Sequence, residues 1–116
     1  MPRVLFLEDE GVSVMLATAL LEEAGFEVLH VTTTDEASEV LTALAPDILL
    51  SDWSVAGSIN AAELARQVRA KNSSAKIIFV TGHAEEDLRP YLADLAPYQM
   101  FHKPVEYEEI VNQLEA

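Results

Sequence analysis

The stretch VLFLEDE, residues 4–10, runs from four apolar residues straight into three acids, Glu8, Asp9 and Glu10. An unbroken apolar run, rather than an alternating one, suits a strand covered on both faces, as strands of a parallel sheet are. Three like charges crowded at the end of such a strand make one another harder to ionise. A surface loop carries acids at little cost, whereas the end of a buried strand needs a compensating group.

Further apolar runs follow at FEVLHV (26–31), DILLS (47–51), KIIFV (76–80) and YQMFH (98–102). Between them lie segments with helical spacing. Val12, Met15, Leu16, Ala19 and Leu20 form one stripe, and Ala37, Val40, Leu41 and Leu44 a second. Ala61, Leu64, Ala65 and Val68 form a third. Leu88, Tyr91, Leu92 and Leu95 form a fourth, and Tyr107, Ile110, Val111 and Leu114 a fifth. Thr33 and Glu36 are spaced as a capping box ahead of the second stripe, and Gly25 and Pro46 punctuate the ends of the first two. Pro90 falls inside the fourth, so that helix either begins late, with Pro90 in its first turn, or is kinked. Five strand–helix units in succession predict an α/β fold, with parallel strands joined by helical crossovers and helices on both faces.

The 116 residues suffice for a single domain, read as 1–116. Seven Lys and Arg against twenty Asp and Glu, a formal charge of −13, argue against direct binding to nucleic acid and to anionic membranes. Cysteine is absent, which excludes disulfides, zinc–thiolate sites and thiol nucleophiles. No basic-then-apolar leader precedes the first strand, and no apolar run approaches the roughly 20 residues that span a bilayer. The expectation is a cytoplasmic protein.

In an open parallel sheet, ligands bind beyond the carboxyl ends of the strands. Those ends carry Glu8-Asp9-Glu10, Ser51-Asp52-Trp53-Ser54, Thr81-Gly82-His83 and His102-Lys103-Pro104. Carboxylates together with a backbone carbonyl form an all-oxygen ligand set, suited to Mg²⁺, Mn²⁺ or Ca²⁺ rather than Zn²⁺. A divalent cation would relieve the repulsion among the acids. Beside it, a lysine and a threonine suit an anion, the first as a point charge and the second as a hydrogen-bond donor. The combination points to phosphoryl transfer onto a carboxylate. Taken singly, the acids also fit a helix N-terminus, which is the reading preferred for Glu10. His30 and His102 lie in strands and are read as structural; Arg66, Arg69 and Lys71 are read as a solvated face suited to a helix C-terminus.

On Glu8-Asp9, on Asp52 in DILLSDW, on Thr81 in IIFVTGH and on Lys103-Pro104 in MFHKP, the chain resembles the CheY-like receiver domains of two-component response regulators, over essentially its whole length. The resemblance implies a flavodoxin-like, doubly wound fold: a five-stranded parallel sheet in the order 2-1-3-4-5 with five helices. It implies Asp52 as phosphoacceptor and Asp9 as the main Mg²⁺ ligand, with Glu8 assisting, Asp52 sharing the ion and the Ser54 carbonyl as a further ligand; Mn²⁺ would substitute. Thr81 and Lys103 would hold phosphoryl oxygens, and Lys103–Pro104 would be a cis peptide. The implied donor is a phosphohistidine on a sensor histidine kinase or a histidine phosphotransfer protein. The implied reading surface, toward a downstream partner or another copy, spans helix four, strand five and helix five, with Tyr91, Leu95, Tyr98 or Tyr107 as anchors.

Some positions depart from the family pattern. Ala56 and Asn60 stand where a proline and a glycine are usual, and Asn60 is expected to supply the glycine's left-handed conformation. Met100 replaces the aromatic expected three residues before the lysine, with Phe101 on the opposite face and Tyr98 out of phase. Gly82 keeps the usual small residue, and Trp53 is read as a partly exposed neighbour of the site. Ser54 and His83 stand at positions that would tune dephosphorylation. Two other functions compete: a pseudo-receiver that binds partners without phosphorylation, and a Mg²⁺-dependent phosphatase. The second lacks its usual acid two residues after Asp52, where Ser54 stands.

Overall fold

The computed structural model describes residues 1–115. Its elements are β1 (Arg3–Leu7), α1 (Gly11–Glu23), β2 (Glu27–Val31), α2 (Thr34–Leu41), β3 (Ile48–Asp52), α3 (Ala61–Lys71), β4 (Lys76–Thr81), α4 (Glu85–Leu92), a 3₁₀ turn at Ala93–Leu95, β5 (Gln99–His102) and α5 (Tyr107–Glu115). The five strands form one parallel sheet in the order β2-β1-β3-β4-β5. This is the flavodoxin-like doubly wound arrangement, with the strand order reversing between β1 and β3.

The sheet explains the unbroken apolar runs. Along β1, β3 and β4 alternate side chains enter two separate cores. Leu5, Leu7, Leu49, Ile77 and Phe79 pack with Ala37 and Leu41 of α2, Leu64 and Val68 of α3, and Leu88 and Leu92 of α4. Val4, Phe6, Ile48, Leu50, Ile78 and Val80 pack with Ala17 and Leu21 of α1 and Ile110 and Leu114 of α5.

Four local features differ from the sequence reading. Helix α1 buries Ala17 and Leu21, not the expected stripe, and leaves Val12, Met15 and Leu16 at 73%, 75% and 52% exposure. Its first eleven residues carry no charge, so the sequence gives the helix no polar face to fix its rotation. Its ends are fixed instead. Glu10 caps the N-terminus, accepting from the backbone N–H groups of Val12 and Ser13. Gly25, at φ +95°, closes the C-terminus with bonds from Gly25 N to Glu22 O and from Phe26 N to Leu21 O, the Schellman pattern.

Helix α4 begins early rather than late: Pro90 lies near its C-terminal end, and the helix gives way to the 3₁₀ turn after Leu92, whose φ of −117° breaks the regular geometry. The third difference concerns Arg66 and Arg69, which are not a solvated face. Arg69 donates to the carbonyls of Ala75, Leu95 and Pro97, and Arg66 to Asp94 and the Tyr91 carbonyl, tying α3 to the α4–β5 connection. The capping box at α2 is formed on one side only. Thr33 accepts from Glu36 N, but the Glu36 carboxylate reaches back to Thr32.

Candidate functional site

The carboxyl ends of β1, β3, β4 and β5 converge beyond the β1/β3 switch point. One carboxylate oxygen from each of Glu8, Asp9 and Asp52 lies within 4.8 Å of the others. Glu8 and Asp52 are nearly closed off from solvent, at 4% and 7% exposure, while Asp9 is exposed. Burial raises the Glu8 carboxyl above its ordinary range, the charge of Asp52 raises it further, and the Glu10 N–H bond opposes both. Three acids held this close, two of them shielded from water, are the oxygen-only donor set that a hard divalent cation requires.

A cation of the chain stands against them. Lys103 Nζ lies 2.8 Å from Asp52 Oδ2, and this bond is the main reason the ammonium pKa is raised. The other Asp52 oxygen accepts from Ser54 N at 3.1 Å. Lys103 is set by the sheet itself: its N–H donates to the Thr81 carbonyl at 2.9 Å, extending the β4–β5 ladder. The Lys103–Pro104 peptide is cis, as is Ala96–Pro97.

Thr81 is buried at the end of β4, and its Oγ1 accepts from His83 N at 3.0 Å, leaving the hydroxyl proton free to donate. Gly82 and His83 are exposed. Trp53 is half-buried and stacks edge-on to Phe79 at 5.3 Å. Met100 is half-buried on the α2–α3–α4 side of the sheet and Phe101 on the α1–α5 side. Tyr98 shares the face of Met100 rather than lying out of phase with it, because the two are separated by one full pleat; its ring meets Phe79 at 6.3 Å.

The loop after Asp52 is pinned, and not by Asn60. Asn60 has extended backbone (φ −87°, ψ 174°) and caps α3, accepting from Glu63 N. The residue with positive φ is Gly57, at +137°. A Cβ there would overlap the Thr34 side chain, and the Ala56 carbonyl beside it accepts from Thr34 N at 2.9 Å. Thr34 Oγ1 in turn donates to the Ile59 carbonyl, and Ser58 N donates to Asp35. The β3–α3 loop is thus bound to the start of α2, an arrangement the sequence analysis missed; Gly57 in VAGSIN was its available signal.

Sequence analysis also missed two supports of Glu8. His30 Nε2 lies 2.7 Å from the Glu8 carbonyl oxygen, and the Tyr107 hydroxyl lies 3.4 Å from Glu8 Oε2. Glu10 stays outside the acidic cluster, and its cap bonds to Ser13 and Val12 lower its pKa. A cleft of about 330 Å³ lined by Glu8, Glu10, Ser13, Lys103, Pro104, Val105 and Tyr107 opens beside the cluster. A cleft of similar size, about 340 Å³, lies at the opposite end of β4 and β5 around Arg69 and Lys76, away from the acids.

Sheet order and switch point define a doubly wound fold with an acidic cluster at its strand ends, and comparison with known proteins places it in a family. The chain belongs to the response regulator receiver domain family, whose model matches residues 4–115. It is 32% identical over 116 residues to the phosphate regulon transcriptional regulatory protein PhoB of Pseudomonas aeruginosa, covering 97% of this chain but only 50% of that protein. It is 30% identical over 115 residues to the response regulator receiver protein CpdR of Brucella abortus, covering 99% of this chain and 95% of that one. Among solved structures, the receiver domain of sensor histidine kinase PA1611 from Pseudomonas aeruginosa, with a magnesium ion coordinated in its active site cleft, superposes with a TM-score of 0.78 at 22% identity, covering 98% of this chain and 94% of that one. Receiver domains are signalling modules of two-component systems, and among the described residues no helix is long and apolar enough to cross a membrane.

Proposed function

We propose that the chain, read as one receiver domain over residues 1–116, accepts a phosphoryl group on Asp52 and signals by the change that follows. The observation that carries this reading is the convergence of Asp52, Lys103 and the Glu8–Asp9 pair at one switch point, with Thr81 at the adjoining strand end. The acidic cluster fits Mg²⁺, with Mn²⁺ as a substitute: Asp9 and Asp52 would hold the ion, the Ser54 carbonyl would add a ligand, and Glu8 would assist. When bound, the ion neutralises the acids and the charge that develops on the transferring group.

The chain's own residues account for the rest. A carboxylate oxygen of Asp52 attacks phosphorus, an O–P bond forms, and the P–N bond to the donor imidazole breaks; the electron pair stays on that nitrogen, and the ring, already protonated on its other nitrogen, leaves as neutral imidazole. The Lys103 ammonium, at present paired with Asp52, transfers to a phosphoryl oxygen. The free hydroxyl proton of Thr81 donates to another. The donor is a phosphohistidine of a sensor kinase or phosphotransfer protein, and small acyl phosphates serve in its place. Loss of the group by attack of water is the only turnover the chain carries out, with Ser54 and His83 flanking its approach. The site works in the cytoplasm, with no direct contact to nucleic acid or membrane.

Readout belongs to the α4–β5–α5 face. Tyr91 is its exposed aromatic, at 65%, whereas Leu95 and Tyr107 are buried and Tyr98 is half-buried. With Met100 in place of an aromatic, no large ring swings on β5 when the site is loaded. The pseudo-receiver reading is disfavoured by the Lys103–Asp52 pair, which holds the acceptor carboxylate in place at 2.8 Å.

Intact-mass measurement after incubation with acetyl phosphate tests this reading. A single phosphoryl adduct that requires Mg²⁺ and is absent from Asp52→Asn supports it. An adduct that survives in Asp52→Asn, or none from either acetyl phosphate or a phosphorylated histidine phosphotransfer protein, overturns it.

A further inference from the structure

Glu8 is held more tightly than a carboxylate at a loop mouth needs to be. Its Oε1 accepts from the backbone N–H groups of Asp9 and Glu10, at 3.0 and 3.1 Å. Its carbonyl oxygen lies 2.7 Å from His30 Nε2. Among the described residues, its other carboxylate oxygen, Oε2, has one donor, the Tyr107 hydroxyl at 3.4 Å. Tyr107 stands in the first turn of α5, four residues after Lys103, and is only 6% exposed. Its ring packs edge-on to Phe6 at 6.1 Å, and the His30 ring also meets Phe6, at 5.8 Å.

This geometry has a chemical consequence. Tyr107 sits where α5 would otherwise need only an apolar residue for the core beneath β1, and Ile110, Val111 and Leu114 supply that on the following turns. Its hydroxyl reaches from α5 to the Glu8 carboxylate at 3.4 Å. With Oε1 turned back onto its own loop, Oε2 is the oxygen left to serve a cation or its bound water. The donor on that oxygen decides where it points. Groups that orient a ligand carboxylate commonly alter metal affinity by about 10- to 100-fold when removed.

We infer that Tyr107 is a positioning residue for the cation site: its hydroxyl fixes the Glu8 carboxylate so that Oε2 faces the ion. This inference rests on the receiver reading of the acidic cluster. It assigns to α5, through one hydroxyl, control over ion affinity that the strand-end residues alone do not supply.

The test is a MgCl₂ titration of the wild type and Tyr107→Phe, followed by Trp53 fluorescence and repeated by calorimetry. The same pair is compared in a Glu8→Gln background. Tyr107→Phe keeps the buried ring and removes only the hydroxyl. Because the 3.4 Å contact is long for an O–H···O bond, the expected loss is at the low end, about tenfold in Mg²⁺ affinity. The thermal midpoint in EDTA should stay close to wild type. In Glu8→Gln the same substitution should have little further effect, since its route to the ion has been removed. An unchanged Mg²⁺ affinity in Tyr107→Phe overturns the inference while leaving the receiver reading intact. An equal loss in both backgrounds overturns it too, because the hydroxyl would then be acting elsewhere. A wild type with no Mg²⁺ response overturns the receiver reading and this inference with it.

Discussion

Replacing Gly57 with alanine should destabilise the protein more than any other glycine substitution. At φ +137° Gly57 occupies a region that a residue with a Cβ enters only at a cost of about 1–2 kcal/mol. The added Cβ would also run into Thr34, whose backbone nitrogen lies 2.9 Å from its ideal position and whose hydroxyl lies closer still. Relieving the overlap means moving a side chain that bonds the Ile59 carbonyl and a backbone N–H that bonds the Ala56 carbonyl. Forcing atoms into a filled space costs about 1–3 kcal/mol. The total, about 2–5 kcal/mol, is a substantial part of the 5–15 kcal/mol typical of a domain. At an unfolding entropy of about 2.1 cal/mol/K per residue it corresponds to roughly 8–20 °C in midpoint. Urea and thermal unfolding measure it, with Gly11→Ala as the control. Nothing lies within 4 Å of a Cβ at Gly11, so the control should stay within about 1 kcal/mol of wild type. Because the same loop carries Ser54, Gly57→Ala should also weaken Mg²⁺ binding. A stability loss under about 1 kcal/mol, or a loss no larger than in Gly11→Ala, would refute the account of this loop.

Other expectations follow from the same contacts. Arg69→Ala should cost about 2–4 kcal/mol in urea unfolding, because three carbonyls lose a charged donor, whereas the more exposed Arg66→Ala should cost about 1 kcal/mol or less; the reverse order would contradict the roles given to the two arginines. Lys103→Met should destabilise the Mg²⁺-free protein by about 1–2 kcal/mol, a value reduced for the 44% exposure of the lysine side chain. Saturating Mg²⁺ should recover part of that loss, and an equal loss with and without the ion would show that charge balance at Asp52 is not the cause. Burial raises the Glu8 pKa, so the folded state binds that proton more tightly than the unfolded chain. Its contribution is therefore present at acid pH and is lost as pH rises through the raised value. In EDTA, Glu8→Gln should be more stable than wild type at neutral pH, with the gap closing on acidification toward the ordinary glutamate range; a less stable variant at neutral pH would invert the assignment.

The strands, and the residues that cluster at their carboxyl ends, were legible because each rests on a short-range signal. A strand buried on both faces must be apolar at successive positions, so β1, β3 and β4 declare themselves, and the residues after them are the ones a parallel sheet presents to a ligand. The rotation of α1 was not legible, since Val12, Met15 and Leu16 are as apolar as the residues it buries and only packing against β2 and α5 chooses between them. Asn60 misled for a related reason: asparagine tolerates a left-handed backbone and also caps helices, and here it caps α3 while Gly57 takes the positive φ. Arg69 and Tyr107 were hidden by distance along the chain. Their partners lie 6 to 28 and 99 residues away, and nothing in a local pattern marks a lysine-like face residue or a core tyrosine as spoken for.

The reading of Asp52 as phosphoacceptor is tested most directly by a crystal structure of the protein soaked with Mg²⁺ and beryllofluoride, a mimic of the phosphoryl group. The expected result is a beryllofluoride on Asp52 with Mg²⁺ held by Asp9, Asp52 and the Ser54 carbonyl. Lys103 should have left its 2.8 Å contact with Asp52 Oδ2 for a fluorine, and Thr81 Oγ1 should donate to another. Asp52 left bare and still paired with Lys103 while Mg²⁺ occupies the site, or the mimic attached to another carboxylate, would contradict it.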